Sequence, residues 1–208
     1  MKLIDDYKRR RRDEQELRQS GRMPPGQSLT NRFPVMMAGP IPHVDTASWE
    51  LRVFGEVEHE MRWSWEAFLA LPTVTVTVDV HCVTRWSKFD TVWEGVLFRD
   101  FVELFSVKDT AKHVIAHCDY GYTTNVPIED MMKDDVLLAY KYDGKPLEPE
   151  HGFPVRTLVP HLYFWKSAKH LRGLEFSAVD KPGFWENAGY HNYGDPFKEE
   201  RYQRRGFF

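Results

Sequence analysis

Thr73-Val-Thr-Val-Thr-Val-Asp-Val80, running on into His81-Cys-Val-Thr-Arg-Trp-Ser87, is the stretch from which the architecture can be worked out. Valines occupy every second position and Thr or Asp the positions between, the period-two signature of a half-buried strand. Cys82 stands where that strand ends and the backbone starts to turn. A rigid strand delivering one soft thiolate to an open end is a way to offer a sulfur to a metal.

Outward from this strand, Leu51-Arg-Val-Phe-Gly-Glu-Val57 alternates and leads over a polar break to Met61-Arg-Trp63, a predicted hairpin. Ser64 is placed to cap a short helix with Trp65, Phe68 and Leu69 on its inner face, stopped by Pro72. Phe98, Phe101, Val102 and Phe105 recur at helical spacing. Strands are expected at His113–Cys118, Val136–Tyr142, Val155–Val159 and Leu171–Ala178, with Asp143-Gly144 as a turn and Pro127 opening a short helix whose Ile128, Met131 and Met132 face inward. The tail from Asp180 mixes Gly, Pro, aromatics and charge and is expected to wrap the surface. Strands and short helices interleave with no regular βαβ rhythm. The fold class is therefore α+β, with mixed, mostly antiparallel sheets.

The chain has 208 residues, room for one domain with modest additions and a sizeable core. Residues 1–22 read as a charged N-terminal arm and residues 23–208 as the domain, entered through a proline-rich segment. A net charge of −3 gives no basic field for nucleic acid. Seven tryptophans suit aromatic-lined clefts. Two cysteines, Cys82 and Cys118, suit a reducing compartment rather than a disulfide scaffold. Lys8-Arg-Arg-Arg-Arg12 is followed by polar residues instead of an apolar stretch, and no run is long enough to span a bilayer. A cytoplasmic protein without a signal peptide is expected.

Two constellations carry chemistry. His81-Cys82 and His117-Cys118 invite a zinc reading, but neighbouring strand residues point to opposite faces and the C-x-x-C form is missing. The same facing argument removes His81 as the base of a Cys-His dyad, although a distant histidine could still serve, and Cys118 reads by default as a small buried apolar residue. The second constellation runs from His151-Gly-Phe-Pro-Val-Arg156 to Lys166-Ser-Ala-Lys169. Gly152 and Pro154 fix a tight approach to a strand, and Arg156, Lys166, Ser167 and Lys169 can supply donors and positive charge around one anionic group. A solvated basic turn is the competing interpretation.

Together these residues resemble the sulfite oxidase-like molybdopterin oxidoreductases, a family that includes sulfite oxidase and the catalytic subunit of bacterial methionine sulfoxide reductase. The resemblance runs from about Pro24 onward and is nearest the small stand-alone prokaryotic members. Asp79-Val-His-Cys-Val-Thr-Arg-Trp-Ser87 looks like the family's molybdenum-cysteine motif and Trp93-Glu-Gly95 like the W-x-G that follows it. Gly121-Tyr-Thr-Thr-Asn-Val-Pro127 and Val136-Leu-Leu-Ala139 match its middle, and His151–Lys169 its pterin-binding signature. The resemblance implies the sulfite oxidase-type molybdopterin-binding domain, molybdenum and molybdopterin as cofactors, and Cys82 as the metal ligand. It places His117, His151, Arg156, Lys166, Ser167 and Lys169 around the cofactor and Tyr122 on the substrate side.

One departure bears on substrate. Sulfite oxidases carry Arg-Asn-His before a Leu-Pro-Val-Pro-like turn, whereas this chain has Met36-Met-Ala38 before Gly39-Pro-Ile-Pro42. The arginine for an anionic substrate is absent there, and the methionines make an apolar, adaptable wall. The implied function is two-electron oxygen-atom transfer on a small substrate, an S-oxide or N-oxide ahead of sulfite. No C-x-x-C-H haem site or Fe–S cysteine set is present, so a separate electron donor or acceptor protein is expected. The alternatives are a non-catalytic molybdopterin-binding module or carrier, whose metal never changes redox state, and a metal-free cysteine hydrolase with a low-pKa thiol.

Overall fold

The computed structural model describes residues 2–203. In chain order the elements are α1 (Lys2–Gln19), β1 (Ser28–Leu29), β2 (Glu50–Gly55), β3 (Met61–Ser64), α2 (Trp65–Leu69), β4 (Val74–His81), β5 (Trp86–Leu97) and α3 (Phe98–Val102). There follow β6 (His113–Cys118), β7 (Thr123–Pro127), α4 (Ile128–Met131), β8 (Leu137–Tyr142), β9 (Lys145–Pro146), β10 (Arg156–Leu158), β11 (Leu171–Ser177) and α5 (Phe184–Asn187). Single 3₁₀ turns cover Asp119–Gly121, Pro149–His151 and Phe164–Lys166.

Two sheets organise the chain. The first runs β1-β5-β8-β10, with β4 also on β5 and β9 on β8; the second runs β3-β2-β11-β6-β7. All pairings are antiparallel except β1 with β5 and β11 with β2. The main core lies between the sheets. Leu51, Val53, Val114, Leu174 and Phe176 of the second meet Val96, Leu138 and Tyr140 of the first. Leu137 and Ala139 alternate onto the opposite face, where they pack with Val80, Trp93 and Phe164. Strand β8 is thus covered on both sides, which explains its unbroken apolar run. Gly95 sits where β5 crosses β8. A Cβ there would stand 2.4 Å from the Leu138 carbonyl oxygen, so the glycine of Trp93-Glu-Gly95 permits the close approach.

The α+β class and most strand positions agree with the sequence reading. Ser64 caps α2 by accepting from the Ala67 amide at 3.2 Å. Leu69 and Met132, expected to face inward, are exposed; each falls at the end of a helix of one turn, past the residue that reaches the core. Residues 2–19 form a helix, and Glu14 ties it to the domain by accepting from the Leu29 amide at 2.9 Å. The tail after Asp180 does more than wrap the surface. Glu186 is buried and accepts from the Trp165 indole at 2.8 Å and the Thr124 hydroxyl at 3.1 Å, fastening the tail into the molecule.

Candidate active site

A cavity of about 230 Å³ opens where the end of β4, the loop before β10, the residues after Phe164 and the tail converge. Cys82, Tyr122, His151, Arg156, Ser167 and Lys169 all line it. Cys82 lies one residue beyond β4, in a tight turn. Its amide donates to the Trp86 carbonyl at 2.9 Å and its carbonyl accepts from the Arg85 amide at 3.0 Å. The Sγ atom is 3.2 Å from Thr84 Oγ1. Burial pushes the thiol above its ordinary pKa. The protein alone therefore keeps the thiol protonated, and a coordinated cation is what would deprotonate it.

The basic side is built on Gly152, at φ 110° after the Pro149–His151 turn. A Cβ there would meet those of Lys169 at 3.1 Å and Arg156 at 3.2 Å, so glycine lets the turn pass against both cations. Arg156 is fully buried. It donates to the carbonyls of His151 at 2.9 Å, Ser167 at 2.7 Å and Thr157 at 3.3 Å, and lies 4.3 Å over the Phe164 ring. Lys169 donates to the carbonyls of Glu150 at 2.6 Å and Met36 at 2.7 Å, with Met37 Sδ at 3.3 Å. Both cations are held by neutral acceptors, and among the described residues neither makes an ion pair with a carboxylate. Burial accordingly pulls Arg156 down to about 9, and burial plus the Arg156 charge pulls Lys169 down to about 7. Buried charge of one sign is costly until an opposite charge arrives.

This sets a pH dependence. Lys169 titrates near 7 when folded and near 10.5 in the ordinary lysine range when unfolded. Between those values the unfolded chain holds the extra proton, so folded stability rises with pH across the window. Thermal unfolding of cofactor-free protein is expected to show that rise, and Lys169→Met is expected to flatten it. Parallel curves for the two proteins would contradict the assignment.

His151 stacks on Phe33 at 4.2 Å, with Nε2 3.3 Å from the Phe33 carbonyl, and burial lowers its pKa. Ser167 Oγ accepts from the Val159 amide at 2.9 Å. The Tyr122 hydroxyl donates to the Trp165 carbonyl at 2.7 Å, and burial raises its pKa well above the ordinary value. Met36, Met37, Ala38, Gly39 and Pro40 form the wall expected to be apolar. Arg85 does not compensate for the missing arginine. It lies off the cavity, its side chain directed at Gly26, where the carboxylate of Glu199 also arrives.

The family model described as "oxidoreductase molybdopterin binding domain" matches residues 38–185. The chain belongs to that family. It is a molybdopterin-dependent oxidoreductase of the sulfite oxidase-like kind. It is 49% identical over 185 residues to an uncharacterized oxidoreductase, YuiH, of Bacillus subtilis (strain 168), covering 88% of this chain and 93% of that one. It is 27% identical over 167 residues to the protein-methionine-sulfoxide reductase catalytic subunit MsrP of Campylobacter jejuni, covering 72% of this chain and 56% of that relative, so it spans only about half of that protein. The fold resembles the sulfane dehydrogenase SoxCD of Paracoccus pantotrophus, with a TM-score of 0.61 and 23% identity over 67% of this chain and 40% of that one.

Two residues expected around the cofactor of this oxidoreductase lie elsewhere. His117 projects from the outer face of β6, where its Nε2 pairs with Glu175 at 2.9 Å beside the Phe54 ring. Alternation explains this, since Ala116 and Cys118 take the core face. Lys166 is buried against the tail, 2.6 Å from the Glu186 carboxylate, and also bonds Asn125 and the Asn192 carbonyl. The sequence reading missed the aromatic walls, Trp86, Trp165, Phe184, Trp185 and Tyr190. The abundance of tryptophan was their only signal. Among the described residues, two buried polar atoms of cavity side chains have no partner, Trp86 Nε1 and Asp119 Oδ2, a donor and an acceptor. The other Asp119 oxygen accepts from Arg172 at 2.9 Å.

Proposed function

We propose that Cys82 Sγ ligates the molybdenum of a molybdopterin cofactor seated in this cavity. In this reading the enzyme transfers an oxygen atom, with two electrons, to or from a small neutral substrate. The observation that carries the reading is the pair of cations, Arg156 and Lys169, brought to one cavity with the Cys82 thiol and with neither in an ion pair with a carboxylate among the described residues. A phosphate and a dithiolene are the kind of anionic groups such a pair compensates. The unpartnered Trp86 Nε1 and Asp119 Oδ2 suit a ligand that carries both acceptors and N–H donors.

His151, Arg156, Ser167 and Lys169 are the residues we assign to the cofactor. His117 and Lys166 drop out of that set because neither lines the cavity. When bound, the cofactor supplies the redox change and the oxygen-accepting metal, and the protein supplies orientation and charge. Tyr122 forms part of the wall, and its hydroxyl proton is committed to the Trp165 carbonyl. A substrate oxygen takes that proton only by displacing the bond. Met36 and Met37 favour a neutral sulfoxide or N-oxide over sulfite. The relative named as a methionine-sulfoxide reductase catalytic subunit supports the same substrate class.

Electrons are assigned to a separate partner protein, because the two cysteines supply neither a haem attachment pair nor a cluster set. No helix among the described residues is long and apolar enough to cross a membrane. Two free cysteines support a cytoplasmic setting. Residues 23–208 are taken as the catalytic unit and residues 1–22 as an appended arm.

The direct test is a screen of S-oxides and N-oxides with an artificial electron donor. Turnover on these and slow oxidation of sulfite are expected; fast sulfite oxidation would overturn the substrate assignment. Arg156→Met is expected to lower cofactor retention by about tenfold or more, since a hydrogen bond to a charged group contributes about 1.5–3 kcal/mol. Molybdenum content after gel filtration measures it, and undiminished retention would remove Arg156 from the set.

A further inference from the structure

The two ends of the chain lie outside the matched stretch 38–185, yet both close on the backbone of one short turn. Gln27, which precedes β1, donates from Nε2 to the Cys82 carbonyl at 3.0 Å. Arg201, near the end of the tail, donates from Nη1 to the Val83 carbonyl at 2.7 Å and from Nη2 to the Pro25 carbonyl at 3.2 Å. The Ser28 amide donates to the Arg85 carbonyl at 2.9 Å. Three carbonyls of the 82–85 turn, those of Cys82, Val83 and Arg85, are thus gripped from outside the matched stretch, and Arg201 joins the two flanks to each other.

We infer that Gln27 and Arg201 are positioning residues that hold the Cys82–Arg85 turn, and through it the Cys82 sulfur, in its place at the cavity. The inference rests on the reading of Cys82 as the metal ligand. Gln27 is 1% exposed and Arg201 4%. Burying an amide and a guanidinium is unfavourable unless they are bonded. Gln27 Nε2 and Arg201 Nη1 bond to the turn, and Arg201 Nη2 bonds the Pro25 carbonyl and lies 3.6 Å from the Glu199 carboxylate, while Gln27 Oε1 and Arg201 Nε have no partner among the described residues. Arg201 also lies 4.9 Å over the Tyr163 ring, and Tyr163 packs in one cluster with Cys82 and Val83. The clamp thus backs the same small group of side chains that presents the sulfur. The turn needs such support because Arg85 is at φ 72°, a left-handed conformation that a side-chain-bearing residue holds only when its surroundings fix it. A metal ligand is only as well placed as the shell that fixes its backbone.

The test uses the full chain, cofactor-free and loaded, in Gln27→Leu, Arg201→Met and Arg201→Lys. In cofactor-free protein the amides of Cys82 and Arg85 are followed by hydrogen exchange. Gln27→Leu and Arg201→Met are expected to exchange there about tenfold faster or more, with the amides of β6 and β11 unchanged. Arg201→Lys restores the charge but not the two-armed grip and is expected to fall between. In loaded protein the electron paramagnetic resonance spectrum of the partly reduced metal is expected to shift in both uncharged variants. Unchanged exchange at the turn would overturn the inference. A loosened turn with an unshifted spectrum would overturn it too, because the grip would not reach the metal. A loosened turn in protein that binds no molybdenum would support the clamp and sink only the ligand assignment. Should Arg201→Met fail to fold, the uncharged Gln27→Leu change carries the same test.

Discussion

Cys82→Ser is expected to fold as the parent protein does and to lose redox turnover by more than about 100-fold. That figure is the upper end for changing a residue that merely supports a metal ligand, and this change removes the ligand itself. The cysteine side chain is small and buried, and its Sγ lies 3.2 Å from the Thr84 hydroxyl, a contact that a serine Oγ can keep. The change therefore separates fold from chemistry. Serine offers a hard oxygen where a soft sulfur suits molybdenum. Turnover per molybdenum, with circular dichroism as the folding control, measures the effect. Equal activity in the two proteins would remove Cys82 from the metal.

Glu186→Ala is expected to destabilise the folded chain by about 3 kcal/mol, the lower end of what breaking a buried ion pair costs. Glu186 and Lys166 are both excluded from solvent, 2.6 Å apart, and burial already depresses the lysine pKa while the carboxylate opposes that shift. Removing the carboxylate strands an ammonium in the interior. The remaining acceptors on Asn125 and Asn192 are what hold the loss to the lower end. Glu186 also fastens the segment that carries Trp185 and Tyr190, which stack at 4.8 Å and form one wall of the cavity. Loosening should therefore appear at the site as well as in global stability. Lys166→Met with Glu186→Leu, which leaves no charge behind, is expected to recover most of the loss. Urea unfolding of the cofactor-free proteins reads both. A loss under about 1 kcal/mol in the single variant would mean the pair is better solvated than its burial indicates.

What could be read in the sequence follows the reach of each signal. Period-two alternation located β4 and β2 because one face of each packs on the core. It missed β5, twelve residues long, which pairs with β4 along most of its length and, besides, with β1 at its start and with β8 towards its end. Buried positions alternate only over residues 91–95 and then run together through Leu97, so no single alternation covers the strand. The basic residues of 151–169 were legible as a group. Which of them turn into one cavity was not, since that depends on Gly152, on a 3₁₀ turn, and on Glu186 drawing Lys166 the other way. Tyr122 illustrates the same limit. Its position at the cavity follows from its motif, but the commitment of its proton to the Trp165 carbonyl arises from chain segments 43 residues apart. The tail was expected to wrap the surface because its residues carry no periodic pattern, yet it contributes cavity wall, a buried carboxylate and Arg201.

X-ray absorption at the molybdenum edge, on the purified protein and on Cys82→Ser side by side, tests the central claim most directly. The account predicts a metal-loaded parent whose sulfur shell exceeds that of the variant by one scatterer. Identical sulfur shells in the two samples, or a parent protein that holds no molybdenum when produced in cells supplying the cofactor, would contradict it.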